Sequence, residues 1–272
     1  KFFRFSNKNY FIFILILFSF LINFYSGYRG VFPIDSFLIY DGGYKVLNGY
    51  YPFKDYWSIT GPLLDYVQSI FFFLFDVNWF SYVLHAALVN VIFTLFIFNF
   101  LIKFGLEIFY SFLYALSVSI LAYPSIGTPF MDHHSAIFSM MSICSVLLAI
   151  LEDKKGYWFF SGILLVISFF SKQIPSAYLI ISIIPIILLN FLFLKNLKIS
   201  NLFYFLLGNI LSIATIFIIF LVTTTPFENF FVQYFMYPIS LGNIRIESIS
   251  FDVNNVFFQF KYIYLSFLPL FF

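Results

Sequence analysis

Pro62-Leu-Leu-Asp65-Tyr-Val-Gln68-Ser-Ile-Phe-Phe-Phe-Leu-Phe75 decides how the chain is laid out. The run is apolar but short: Pro62 opens it, and Asp65 and Gln68 interrupt it. A membrane helix needs about 20 mostly apolar residues. The reading is therefore a helix lying at a membrane surface rather than crossing it. Were it to cross, every later connection would change side. Basic residues on short connections mark the cytoplasmic face. With residues 62–75 not crossing and the N-terminus inside, the inner face collects Lys1, Arg4, Lys8, Lys103, Lys154, Lys155, Lys195 and Lys198. The outer face takes most of the acids: Asp35, Asp41, Asp55, Asp65, Asp76, Asp132, Glu228, Glu247 and Asp252. A crossing helix would scatter that separation.

Composition agrees with a membrane chain. Of 272 residues, 62% are hydrophobic, 25% aromatic and only 10% charged. A soluble domain is about 45–50% apolar and about 25% charged. The balance excludes a disordered chain, a disulfide scaffold and a basic nucleic-acid binder, so no nucleic-acid partner is expected. The single cysteine, Cys144, cannot form an internal disulfide. Apolar runs predict spans at residues 10–25, 78–102, 106–123, 134–151, 157–170, 174–194 and 201–222, with an incomplete one from 256. The expected fold class is all-α: a polytopic transmembrane helical bundle with interfacial helices in a long first outer loop. Residues 1–272 read as a single membrane domain. The chain opens on Lys1 and ends within an apolar run, and reads as a piece cut at both ends.

Ionisable groups are costly in a bilayer, so where they gather is informative. The first outer loop, residues 27–77, is too long for a plain connection. Asp35 is placed to cap a short amphipathic helix that carries Phe37, Leu38, Tyr40 and Tyr44 and ends at Asn48-Gly49. Pro52, Gly61 and Pro62 punctuate the remainder. A second cluster is Pro129-Phe-Met-Asp132-His133-His134, on the same face by the same parity. Asp132 reads either as a site residue or as a helix N-cap, and His85 as a hydrogen-bonding group between helices. Lys172, in Ser171-Lys172-Gln173, is a lysine on the acidic face. It reads either as a phosphate contact or as a snorkelling side chain. Arg245, in a second long outer loop, could chelate a phosphate or simply be solvated. Lys54, Lys45, Asp41 and Asp55 are weaker candidates.

The order of these pieces resembles the GT-C superfamily of integral-membrane glycosyltransferases, in particular the protein mannosyltransferase, aminoarabinose transferase and Rgt-like group. The matching residues are Asp35, Leu47-Asn48-Gly49, Tyr51-Pro52-Phe53-Lys54-Asp55, Gly61-Pro62-Leu63-Leu64-Asp65-Tyr66, and the stretch from Gly162 to Lys172. Ser36 stands where the family often has a second acid. The resemblance implies an enzyme that moves a hexosyl or pentosyl group from a polyprenyl-phosphate-linked donor to a glycan, lipid or protein acceptor outside the membrane. It implies Asp35 as general base, and Asp132, His133, Lys172, Arg245, Asp55 and Lys54 as substrate contacts. A divalent metal cation on Asp132 and His133 is a further implication. The expected setting is a bacterial inner membrane with the N-terminus cytoplasmic. The competing reading is a polytopic transporter or flippase for a lipid or glycoconjugate.

Overall fold

The computed structural model describes residues 8–30, 35, 37–189, 192 and 198–248, with side chains at 243 and 245–248 left aside. Among the described residues every regular element is helical. The order is α1 (Lys8–Gly27), α2 (Leu38–Leu47), α3 (Leu63–Phe75), α4 (Trp79–Lys103), α5 (Ile108–Leu121), α6 (Met131–Glu152), α7 (Lys155–Ser171), α8 (Gln173–Leu189) and α9 (Ile199–Val222). A short helix α10 (Phe227–Phe231) then runs through a π-helical turn, Val232–Met236, into α11 (Tyr237–Ser248).

Four helices, α1, α4, α6 and α9, are long and apolar enough to cross a membrane. α3 has 13 residues, about 20 Å at 1.5 Å per residue. That is short of a hydrocarbon core of about 30 Å. Three segments expected as full spans are also shorter. α5 has 14 residues and stops ahead of Pro124, since the residue before a proline is driven out of the helical region. α7 has 17 and is closed by Lys172 in an extended conformation (φ −160°, ψ 143°). α8 has 17 and contains Pro185. The rest of the stretch read to residue 194, apart from Leu192, lies outside the described residues, as does the span expected from 256. The region of residues 227–248, read as a loop, is helical instead.

The helices gather their ends into two opposite sets. At one, Trp79 Nε1 donates to the Gly27 carbonyl (2.9 Å), joining the end of α1 to the start of α4. Ser26 Oγ donates to the Pro124 carbonyl beyond α5. Ser135 Oγ, in the first turns of α6, donates to the Lys172 carbonyl after α7 (3.2 Å). At the other, Lys103 at the end of α4 pairs with Glu152 at the end of α6 (3.0 Å). Lys198, ahead of α9, pairs with Asp153 (2.5 Å). α1, α4, α5, α6, α7, α8 and α9 therefore alternate in direction, so that α7 and α9 run parallel, and α2 and α3 sit together at the first end.

Between the ends, small polar residues join the helices. Asn90 Nδ2 donates to the carbonyls of Ser19 and Ser119, both at 3.0 Å, tying α1, α4 and α5 together. Ser139 and Ser168 meet across α6 and α7 (2.7 Å), and Ser142 Oγ donates to the Ser161 carbonyl (2.9 Å). α7 and α9 touch through glycine. A Cβ on Gly208 would lie 2.2 Å from the Phe159 carbonyl oxygen, and one on Gly162 2.3 Å from that of Phe205. Backbones can approach this closely only where no side chain intervenes. Gly208→Ala is expected to lower stability by about 1–3 kcal/mol, the usual cost of overpacking, measured by unfolding in detergent. Gly156→Ala, at a glycine with open space around it, is the comparison that should stay near wild type.

Candidate functional site

The part of the long first loop from Tyr51 to Gly61 is fastened down at several points. Tyr51 N–H donates to Asp55 Oδ2 (2.8 Å), closing a tight turn in which Phe53 takes a positive φ of 67°. Phe53 is buried among Phe220, Phe230 and Tyr234. Lys54 Nζ donates to the Thr223 carbonyl (3.0 Å) and to Thr224 Oγ1 (2.7 Å), capping the C-terminal end of α9. Ser58 N–H donates to Gln233 Oε1 (2.9 Å), and Gln173 Nε2 donates to the Ile59 carbonyl (2.8 Å). Gly61 then lies against the end of α7, where a Cβ would come 1.7 Å from the Phe170 carbonyl oxygen. Asp55 and Lys54 thus hold the loop's shape and its attachment.

α2 rests on α3 through Gly42, where a Cβ would fall 2.3 Å from Asp65 Oδ1. Asp65 is 4% exposed and accepts a hydrogen bond from the Tyr56 hydroxyl (2.7 Å) on Oδ2. Asp41 and Lys45 pair at 2.6 Å one turn apart on α2, and the Lys45 ammonium lies 4.9 Å from the centre of the Tyr56 ring. Together with Leu38, Gly42, Trp57, Ser58, Ile59 and Thr60 they line a cavity of about 270 Å³. Burial raises the Asp65 carboxyl from its ordinary value to about 7, against the opposing hydrogen bond from Tyr56; the Asp41 charge adds to the rise and Lys45 reduces it. The Tyr56 hydroxyl is pushed far up, first by burial and then by the Asp65 charge.

Lys172 Nζ reaches Asp132 Oδ1 at 2.6 Å, joining the turn after α7 to the first turn of α6. Asp132 is not the N-cap of α6; that position is Phe130, with no side-chain cap. His133 Nε2 meets Ser125 Oγ (3.1 Å). A divalent cation on Asp132 and His133 would have to displace Lys172 from the carboxylate, while His133 Nδ1 is buried without a hydrogen-bond partner among the described residues. Lysine already neutralises the carboxylate, the imidazole faces a serine, and no group of three His, Cys, Asp or Glu side chains converges among the described residues. Asp35 is half-buried, and its carbonyl, not its carboxylate, accepts from Leu38 N–H at the start of α2 (3.2 Å). The side-chain cap expected of it is absent. Arg245 falls on α11, and its side chain lies outside the described residues.

A second polar system lies under α3. The Phe130 N–H donates to the Tyr123 hydroxyl oxygen (2.9 Å), and that hydroxyl meets His134 Nδ1. His134 Nε2 faces His85 Nε2 at 3.1 Å, and His85 Nδ1 faces Gln68 Oε1 at 2.9 Å. One arrangement satisfies all of these contacts with both imidazoles neutral. Tyr123 donates to His134 Nδ1, His134 donates from Nε2 to His85, and His85 donates from Nδ1 to Gln68. All four side chains are at most 3% exposed. His85 is the hydrogen-bonding group between helices that its position implied. Finally, an apolar groove of about 440 Å³ lies between α7, α8, α9 and α10, lined by Phe169, Phe170, Ile184, Phe217, Phe227 and Phe231 among others. It reaches the end of α7, two residues before Lys172.

Two of these features were missed from sequence. Asp65 registered as a break in an apolar run, an outer-face acid and part of the family-like stretch, but not as a site residue. Gln68, His85 and His134 carried no spacing that could pair them, because 17 and 49 residues separate the partners. An acid and an amide three apart in an otherwise apolar segment were the available signal.

Asp65 makes stability depend on pH in a stated direction. Its folded value lies above its ordinary one, so stability is greatest below about pH 4 and falls as pH rises through about 7. The loss is up to about 4 kcal/mol at 1.36 kcal/mol per unit. Asp65→Asn should remove that component from unfolding measured across this range. His85→Leu and His134→Leu should each cost about 1–3 kcal/mol by stranding a buried partner. The double variant should cost at least about 0.5 kcal/mol less than their sum.

No family model, no curated protein and no solved structure matches this chain.

Proposed function

We propose that the chain is a multi-pass membrane glycosyltransferase acting on a polyprenyl-phosphate-linked sugar at the end of the helices that carries α2 and α3. A membrane setting is supported by an inverted distribution of polarity. Leu221, Val222 and Phe73 are 77%, 78% and 76% exposed, whereas Asn90, Ser142 and Ser161 are fully buried. Lipid accepts the former, and helix-to-helix hydrogen bonds satisfy the latter. Lys103, Lys154, Lys155 and Lys198 lie, together with Glu152 and Asp153, at the end opposite Asp65 and Asp132, and this gathering of lysines supports a cytoplasmic assignment for that end and for the N-terminus. α2 and α3 are then interfacial helices on the outer face.

The observation that carries the enzymatic reading is the Phe-lined groove, whose wall includes Phe170, two residues before Lys172 in the chain. An isoprenoid chain suits the groove, and a lipid phosphate suits the ammonium once Asp132 yields it. The acceptor hydroxyl oxygen would attack the anomeric carbon of the sugar. Its proton would pass to a carboxylate, Asp35 by the family resemblance. The bond from that carbon to the carrier phosphate would break, with the electron pair leaving on phosphate.

The reading is tested in vesicles loaded with polyprenyl phosphates bearing radiolabelled hexose or pentose, with an extract of cell-envelope glycans, lipids and proteins as acceptors. The purified chain should move label out of the carrier fraction. Asp35→Asn should reduce transfer by about 10²–10⁴-fold, the range of a general base. Lys172→Met should reduce it comparably, with unfolding unchanged in both. The buried His85–His134 contact favours a second reading, a proton-linked transporter, because intramembrane ionisable groups mark transport paths. Label that crosses the vesicle without leaving its carrier would select that reading.

A further inference from the structure

The cavity between α2 and α3 has features that Lys172 and the apolar groove do not use. Its charged lining holds two carboxylates, Asp41 and Asp65, and one ammonium, Lys45. Asp65 offers Oδ1, which makes no hydrogen bond with the described residues, since Tyr56 occupies only Oδ2. This carboxylate is more than nine-tenths buried and faces the cavity. Asp41 lies one helical turn from Lys45, so their charges largely cancel. The apolar lining is Leu38, Trp57 and Ile59, and Trp57 is 57% exposed with its ring edge-on to Tyr237 at 5.5 Å.

An anion would meet two carboxylates there. A cation would compete with Lys45, which already sits between Asp41 and the Tyr56 ring. A neutral ring with hydroxyl groups on its edge and C–H groups on its face meets neither obstacle. Its hydroxyls are donors for Asp65 and Asp41, and its face can lie on Trp57. The wall of the cavity is also held in place. Ser58 is bonded to Gln233, and Ile59 is bonded to Gln173, the residue following Lys172. A ligand here would therefore lie on the same loop that flanks the lysine.

We infer that the α2–α3 cavity is a binding subsite for the neutral sugar ring of a substrate, with Asp65 and Asp41 accepting hydrogen bonds from its hydroxyl groups and Trp57 supporting its face. Asp65 is the specificity-determining residue of this subsite. The choice of a sugar as ligand rests on the proposed glycosyl transfer.

The test uses the full chain in detergent with the methyl glycosides of mannose, glucose and arabinose as probes, followed by tryptophan fluorescence. At least one glycoside should give a saturable change at millimolar concentration. Trp57→Phe should abolish the change, since of the three tryptophans neither Trp79, packed against Ile39 and Tyr82, nor the buried Trp158 lines this cavity. Asp65→Asn keeps the side-chain volume and should weaken binding at least tenfold at pH 8. Tyr56→Phe, which frees Oδ2, provides a second variant should Asp65→Asn fail to fold. It should shift the affinity while leaving the Trp57 signal in place. Inorganic phosphate and methylamine should give no saturable change. The inference is overturned if no glycoside binds, if Asp65→Asn and Tyr56→Phe both bind like wild type, or if phosphate or methylamine saturates the signal instead. Failure here is separable from failure of the enzymatic reading. Label transfer that persists in Asp65→Asn removes the subsite and keeps the enzyme. Asp65-dependent glycoside binding without any transfer keeps the subsite and removes the enzyme.

Discussion

The carboxylate-bearing end is organised by one close approach, the backbone of Gly61 against the last carbonyls of α7. Any side chain at 61 would enter the Phe170 carbonyl. Because nothing intervenes, α3 starts directly on the end of α7. Gln173 then reaches both the Ile59 and Tyr234 carbonyls, at 2.8 and 2.9 Å. The loop between α2 and α3 is thereby set beside Lys172. Asp65 is buried as a result, since the helix that carries it cannot tilt away toward water. The raised carboxyl, the enclosed cavity and the nearness of a lysine are consequences of where that glycine sits.

Two polar systems share α3 and differ in kind. Asp65 and Gln68 lie three residues apart, so they stand on one side of the helix. Asp65 looks into a cavity with room for a ligand. Gln68 looks into the packed interior, where His85 and His134 leave no such room. Its Nε2 has no hydrogen-bond partner, which is costly for a fully buried amide. The histidine chain supplies direction in exchange, because its donors and acceptors agree only when α3, α4 and α6 keep their mutual register. The interior contact fixes the helix and the outer face presents the acid.

Much of this was legible from residue order alone. The positions of α1, α4, α6 and α9 followed from apolar runs between polar breaks. The shortness of α3 followed from Asp65 and Gln68, and the end of α2 from Asn48-Gly49. Pairings were not legible. Asp132 and Lys172 are 40 residues apart, and nothing in either neighbourhood names the other. The helical character of residues 227–248 was not legible, since proline and glycine, here Pro226, Pro238 and Gly242, are residues that commonly break helices. In the structure Pro226 precedes α10, and Pro238 follows directly on the π-helical turn Val232–Met236 within a continuous helical run. A cap was one of two readings of Asp132 and of Asp35, and neither side chain serves as one. The Asp132 carboxylate turned to a cation from another helix, a choice local sequence does not contain.

Lys54 bonds Thr223 across 169 residues, Ser58 bonds Gln233 across 175, and Gln233 reaches the Phe53 carbonyl across 180. These contacts impose an order on biosynthesis. At about 5–20 residues per second, a ribosome needs on the order of 10–35 s after making the first loop before its anchors exist. During that interval α1, α4 and α5 can already associate through Asn90, while the loop has nothing to hold it. The face that bears the carboxylates is therefore the last part of the molecule to be assembled, although its residues are among the first to be translated.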